Sequence, residues 1–283
     1  MRRMALHIIL FGVVVAGLAC ASAQRFRFGG NGPASSPSPG EARAYGPQSQ
    51  EDFNWRGSVA PGGVIEIKGV NGSIRAALSP GDDVEVSATK RGRRADPGSV
   101  KIEVLKHANG VTICALYPSD DPSQPNDCQP GRAGRVNAQR SDVTVDFTVR
   151  VPPGVRFAGR TVNGEIEVIS LKGDVEAYTV NGSIRVSTST HAQARTVNGT
   201  INASLGDTMW ENALEFETVN GSITVELPKG ANTEVRAETF GGSVSTDFPL
   251  IVQKRSMAGT IGSGRRVLKI RSHNGSIHLR ELS

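Results

Sequence analysis

Seven carboxylates, Glu165, Glu167, Asp174, Glu176, Glu215, Glu217 and Glu226, lie in the middle of this 283-residue chain. Paired carboxylates are what glycoside hydrolysis requires, one as acid and the other as base or nucleophile. Here each follows strand alternation and so falls on a solvent-facing position, and no pair departs from the phase of its neighbours as a grafted site would. The five histidines are scattered, without the nucleophile, base and orienting group of acyl transfer. Gly259 to Arg266, Gly-Thr-Ile-Gly-Ser-Gly-Arg-Arg, resembles a phosphate loop only loosely, because the Lys-Ser/Thr ending that meets phosphate and magnesium is missing. Neither Cys114 nor Cys128 has metal-ligand spacing to a histidine. The chain is therefore expected not to be an enzyme and to hold no cofactor and no metal.

Two further groups carry chemistry of another kind. In an oxidising compartment Cys114 and Cys128 are expected to join as a disulfide that closes a short loop. Basic residues gather near the C-terminus, and Arg265, Arg266, Lys269 and Arg271 are the candidate binding residues for an anionic polymer or lipid surface; a charged cap over the last coil explains the same residues with less and is the favoured reading. The formal charge of +5 falls to +3 (5 − 2) once Arg2 and Arg3 are removed with a leader, a mild balance from which no nucleic-acid partner follows.

Such a leader is legible. Met1-Arg2-Arg3 precedes an apolar run from Met4 to Ala21, and Ala21-Ser22-Ala23 ends it in small residues before Gln24, so residues 1–23 read as a secretory signal cut after Ala23. A lipoprotein signal ending at Cys20 is the competing reading. Export to periplasm, cell surface or medium is expected. Residues 24–52, rich in Gly, Pro and Ser, read as a flexible linker, and residues 53–283 as one repetitive domain interrupted by a polar surface loop at 117–141.

What must position these groups is a repeat. Asn163, Asn181, Asn198 and Asn220 each stand in Thr-Val-Asn-Gly, followed by Ile166, Ile184, Ile201 and Ile223; the unit degrades around Gly241 and Ala258 and recovers at Asn274-Gly275-Ser276-Ile277. Successive units lie 18, 17, 22, 21, 17 and 16 residues apart, and a lone copy, Val70-Asn71-Gly72-Ser73-Ile74, stands 92 residues before Asn163. Helical periodicity is absent, and Val, Ile and Thr crowd the units, so each is β.

Asn-Gly between apolar residues also signals a two-residue hairpin. In a hairpin closed by Asn181-Gly182, however, Val180 and Ile184 would fall on opposite faces, whereas at the corner of a coil both are expected to point inward. The fold is therefore expected to be all-β, a β-solenoid of about seven coils with N-terminal capping strands; the alternative is an antiparallel β-sandwich of hairpins. Asn71, Asn163, Asn181, Asn198, Asn220 and Asn274 should stack as a ladder of amides. Their glycines, Gly164, Gly182, Gly199, Gly221 and Gly275, should supply the turn through positive φ. The Thr and Ser two positions before each Asn should exchange hydrogen bonds between rungs.

The Thr-Val-Asn-Gly-Ser-Ile units, the strand Pro61 to Ile67 and the signal peptide together resemble the bacterial putative adhesin family, a domain of unknown function, over roughly Phe53 to Leu282. The resemblance implies a cell-envelope or surface protein with no known catalytic residues. The expectation is a noncatalytic binding or scaffold module, with envelope or extracellular polysaccharide or a surface protein as candidate ligand. A polysaccharide-active enzyme on a β-helix scaffold is the alternative.

Overall fold

The computed structural model describes residues 49–119, 121, 123–131, 141–206, 212–264 and 266–282. The expected leader, Cys20, most of the linker and Arg265 lie outside them. In chain order the strands are β1 (Ser49–Ser58), β2 (Val64–Lys68), β3 (Ile74–Leu78), β4 (Asp83–Gly92), β5 (Lys101–His107), β6 (Gly110–Leu116) and β7 (Thr144–Val151). Four strand pairs follow: β8 (Arg156–Arg160) with β9 (Ile166–Leu171), β10 (Val175–Tyr178) with β11 (Ile184–Thr188), β12 (Ala192–Asn198) with β13 (Ile201–Leu205), and β14 (Leu214–Asn220) with β15 (Ile223–Leu227). The chain closes with β16 (Thr233–Thr239), β17 (Val244–Thr246), β18 (Ile251–Gln253), β19 (Ser256–Ile261), β20 (Val267–Asn274) and β21 (Ile277–Glu281). β1 starts at Ser49, so the last residues of the segment read as linker, 49–52, belong to a strand.

The strands form two facing sheets. Sheet A runs β1-β4-β7-β3-β9-β11-β13-β15-β21-β17, and sheet B runs β18-β19-β16-β20-β14-β12-β10-β8-β2-β6-β5. Each coil gives one strand to each sheet, and neighbouring coils pair in parallel, Ile184 against Ile166 and Ile201, Ala177 against Ala194 and Gly159. This is the expected all-β solenoid. The core is the row of inward side chains trapped between the sheets, such as Val175, Ala177, Ile184 and Val186 of one coil, all essentially inaccessible. β1, β4 and β5 add antiparallel strands at the N-terminal end. One coil is a residue longer than the next. The excess is taken up by a register shift between Val186 and Thr188 opposite Val168 and Leu171, where Ser170 adopts φ 50°.

Three expectations need correction. Among the described residues the stack has eight coils, in keeping with the expected seven or so, but their spatial order is not sequence order. β2–β3 lies between β6–β7 and β8–β9, so Asn71 stacks directly on Asn163, and β20–β21, last in sequence, is inserted between β14–β15 and β16–β17. The degenerate unit Ser256–Ile261 is not a coil but β19, antiparallel to β16. Finally, Val180, Val197 and Val219 point outward, 38 to 40% exposed, and the threonine before each is buried instead. The parity argument chose the right architecture through the wrong residue.

Candidate binding surface

The reason for the reversed valines lies in the corner. Its glycine carbonyl is met by the threonine hydroxyl of the following coil: Thr179 Oγ1 donates to Gly164 O at 2.9 Å, Thr196 to Gly182 O at 2.9 Å and Thr218 to Gly199 O at 3.0 Å. Ser272 and Thr239 do the same to Gly221 and Gly275 at the C-terminal end. A buried carbonyl left unmet would cost about 1–3 kcal/mol, so the hydroxyl goes in and the valine goes out. The bonds do run between rungs, but to glycine carbonyls rather than from hydroxyl to hydroxyl. Outside the corner the asparagine amides form a continuous chain: Asn163 Nδ2 donates to Asn71 Oδ1, Asn181 to Asn163, Asn198 to Asn181, Asn220 to Asn198 and Asn274 to Asn220, each at 2.8 Å.

Glycine is required beside these amides chiefly by crowding. A Cβ on Gly182 would lie 2.0 Å from the carbonyl oxygen of Gly164, while positive φ applies at Gly221 and Gly275 but not at the central rungs. Along the same edge the exposed valines make a narrow apolar ridge that ends on Phe240, 61% exposed, whose ring lies 5.1 Å from that of His273.

The outer face of sheet B is charged. One row, in register from coil to coil, reads Lys68, Arg160, Tyr178, Arg195, Glu217, Arg271 and Glu238, and the row beside it reads Glu66, Ala158, Glu176, Gln193, Glu215, Lys269 and Arg236. The two rows pair with each other. Arg160 contacts Glu66 at 3.1 Å and Glu176 at 3.3 Å and lies 4.3 Å above the Tyr178 ring, an arrangement that adds a cation–π attraction to the ion pairs. Arg195 reaches Glu215 at 2.8 Å and Glu217 at 3.6 Å, Lys269 reaches Glu215 at 3.1 Å, and Arg271 reaches Glu238 at 2.6 Å. Burial pushes the Glu215 carboxyl up, but hydrogen bonds from Lys269 and Arg195 outweigh it and hold it below the usual carboxylate range. Tyr178 is raised, first by burial and then by Glu176.

Two concavities mark this face. A furrow of about 580 Å³ is walled by Arg195, Glu215, Glu217, Arg236, Glu238, Lys269 and Arg271, with Ser256 and Ala258 at its end. A smaller one, about 210 Å³, lies over Ala158 and is lined by Arg156, Asp174, Glu176, His191, Gln193 and Asn212. The short Ala158 side chain leaves the gap that its longer neighbours would fill.

At the other end of the face residues 128–131 of the polar insertion lie against β2. Cys114 and Cys128 are bonded, their Cα atoms 5.9 Å apart. The tethered segment covers β2, so that Glu66 and Lys68 are buried. Glu66 accepts hydrogen bonds from Thr112 Oγ1 at 3.0 Å, from the Gly131 N–H at 2.9 Å and from Arg160 Nε at 3.1 Å, while Lys68 donates to Gln129 O. Burial lowers the Lys68 ammonium pKa against the opposing pull of Glu66.

Of the basic residues singled out by sequence, Lys269 and Arg271 stand on the furrow wall, already paired with Glu215 and Glu238. Arg266 lies at the foot of β20, where its carbonyl accepts from Thr233 Oγ1. Sequence reasoning missed the partnership of β2 with the insertion, since nothing local says that Glu66 and Lys68 are covered. The Arg160–Tyr178 pair was within reach, because both stand in the same column of the repeat.

The chain matches the family described as Toastrack DUF4097 over residues 135–280, which is 146 (280 − 135 + 1) of its 283 residues. No curated protein matches it. Among solved structures it is similar to a putative cell adhesion protein from Clostridium sporogenes, at 11% identity and TM-score 0.46, covering 82% of this chain and 100% of that one. It is also similar to a putative adhesin from Bacteroides fragilis, at 14% identity and TM-score 0.36 with 83% and 98% covered, and to a putative lipid binding protein from Parabacteroides distasonis, at 12% identity and TM-score 0.25 with 82% and 97% covered.

Proposed function

This chain belongs to the Toastrack DUF4097 family, and from that premise we propose that it is an exported, noncatalytic binding module of the cell envelope that lays an extended polysaccharide along the outer face of sheet B. The observation that carries the reading is the paired state of that face. Glu66, Glu176, Glu215, Glu217 and Glu238 are each engaged by a guanidinium or ammonium group. A carboxylate so held has its oxygens engaged by cationic donors, and Lys269 and Arg195 hold Glu215 below the usual carboxylate range, the reverse of the raised pKa that a general acid needs. Fixed donors and acceptors repeated at the strand spacing of about 4.8 Å suit the hydroxyls of a long, regular polymer, and Tyr178 offers a ring beside them. The Cys114–Cys128 bond supports an oxidising destination.

A panel of envelope and extracellular glycans tests the reading. Retention without cleavage, weakened by Arg195→Ala or Glu215→Gln, is the expected result; release of shorter products would instead make the chain a polysaccharide-active enzyme. Mass analysis of the N-terminus tests export, with Gln24 expected as the first residue and a lipidated Cys20 as the contrary finding.

A further inference from the structure

A stack of coils in two open sheets has four edges, and three of them discourage further pairing. β17 and β18 are three residues long, and β5 carries Lys101 and Lys106. β1 differs. It is ten residues long, contains neither proline nor lysine, and registers with β4 from Ser49 opposite Gly92 to Ser58 opposite Asp83 without a shift. Among the described residues no strand pairs with its outer side. A long, regular edge with its backbone groups unpaired is a template for another strand.

The side chains of β1 say which strand. Phe53 and Trp55 face the core, half-buried, opposite Ala88 and Val86, while Asp52, Asn54 and Arg56 stand exposed on the other surface. In an antiparallel pair, residues directly opposite share a face. With a two-fold axis at Asn54, that residue meets itself, Asp52 meets the partner's Arg56, and Phe53 meets the partner's Trp55. Moving the axis to Phe53 or to Trp55 sets Asp52 against an asparagine or a serine and loses both charge pairs. Among the described residues Asp52 makes no ion pair within its own chain, meeting only the Gln50 amide at 3.2 Å. Arg56 pairs with Asp83 and Glu85, yet its side chain is 67% exposed and has donors to spare.

We propose that β1 pairs with β1 of a second copy, antiparallel about Asn54, joining the two A sheets edge to edge in a symmetric dimer. The interface is isologous, so the same patch serves both copies and assembly stops at two. It lies on sheet A and does not depend on what sheet B binds, although two binding faces on one particle would raise avidity for a polymer.

Sedimentation of the purified full chain with Asn54→Lys and Asn54→Asp tests this. Asn54 is exposed and its side chain supports no other strand, so both variants should melt like the parent. Each places a like charge against itself and should weaken the dimer about tenfold or more. Mixed in equal amounts, the two should restore it as a lysine–aspartate heterodimer, identified by native mass spectrometry. A parent that remains monomeric at its highest soluble concentration overturns the proposal, and so does a dimer indifferent to both substitutions. Loss of the dimer in each variant without recovery in the mixture overturns the register at Asn54.

Discussion

Replacing Asn198 by alanine removes the middle of the amide chain, and its cost can be worked from the contacts. Asn198 Nδ2 donates to Asn181 Oδ1, and its own Oδ1 accepts from Asn220 Nδ2, so two bonds vanish. Asn274 makes one such bond, to Asn220, because the coil beyond it carries Gly241 in place of an asparagine. All of these side chains are exposed, so water takes up the stranded groups and each bond is worth the lower part of the usual range, about 0.5–1 kcal/mol. Asn198→Ala should therefore cost about 1–2 kcal/mol and Asn274→Ala about half as much. Denaturant melts of the two variants and the parent, compared at equal m-value, measure the ratio. A double-mutant cycle should also find coupling between Asn181 and Asn198 and none between Asn71 and Asn198. Equal losses at the two positions would refute the ladder as a cooperative element, leaving each asparagine as a local turn residue.

Other perturbations probe different parts of the frame. Gly182→Ala places a methyl 2.0 Å from the Gly164 carbonyl and should cost more than about 3 kcal/mol in a melt, whereas Gly230→Ala, with nothing within 4 Å, should stay within about 0.5 kcal/mol of the parent. The Tyr117 hydroxyl donates towards Val143 O at 3.0 Å and Asn71 O at 3.2 Å, and burial raises its pKa to about 12. Because the folded pKa is raised, that stabilisation is complete below the unfolded value near 10 and fades as pH climbs through 12, an upper bound of about 3 kcal/mol. Tyr117→Phe should be less stable at neutral pH and should lose less of its stability in alkaline melts. Reducing the Cys114–Cys128 bond, whose ends are 14 residues apart, should cost up to about 3 kcal/mol and increase amide exchange at Gly131, which the tethered segment holds on Glu66; unchanged exchange would mean that the ion network alone keeps the segment down.

The sequence by itself determined the repeating corner. Thr-Val-Asn-Gly-Ser-Ile recurs because every coil must turn at the same height, stack its amide and keep its glycine free of a side chain, and those are requirements of contact between identical neighbours that leave a periodic trace. The β class was legible for the same reason, whereas nothing local told which N-terminal strands are coils, β2–β3 and β6–β7, and which are antiparallel additions, β1, β4 and β5. Which side of the Thr-Val pair faces inward was not legible either, since both residues are β-branched and the choice falls to the Gly164, Gly182 and Gly199 carbonyls, whose need for a donor exists only once coils are stacked. Spatial order was equally hidden. Asn71 meets Asn163 across 92 residues, and β20–β21 enters between coils that precede it, pairings to which local sequence is indifferent because any coil of this pattern offers the same edge. The charges of sheet B follow suit: Lys269 and Arg271 read as a basic cluster along the chain, and only the lateral register, one residue per coil, sets Glu215 and Glu238 beside them and turns the cluster into half of a paired face.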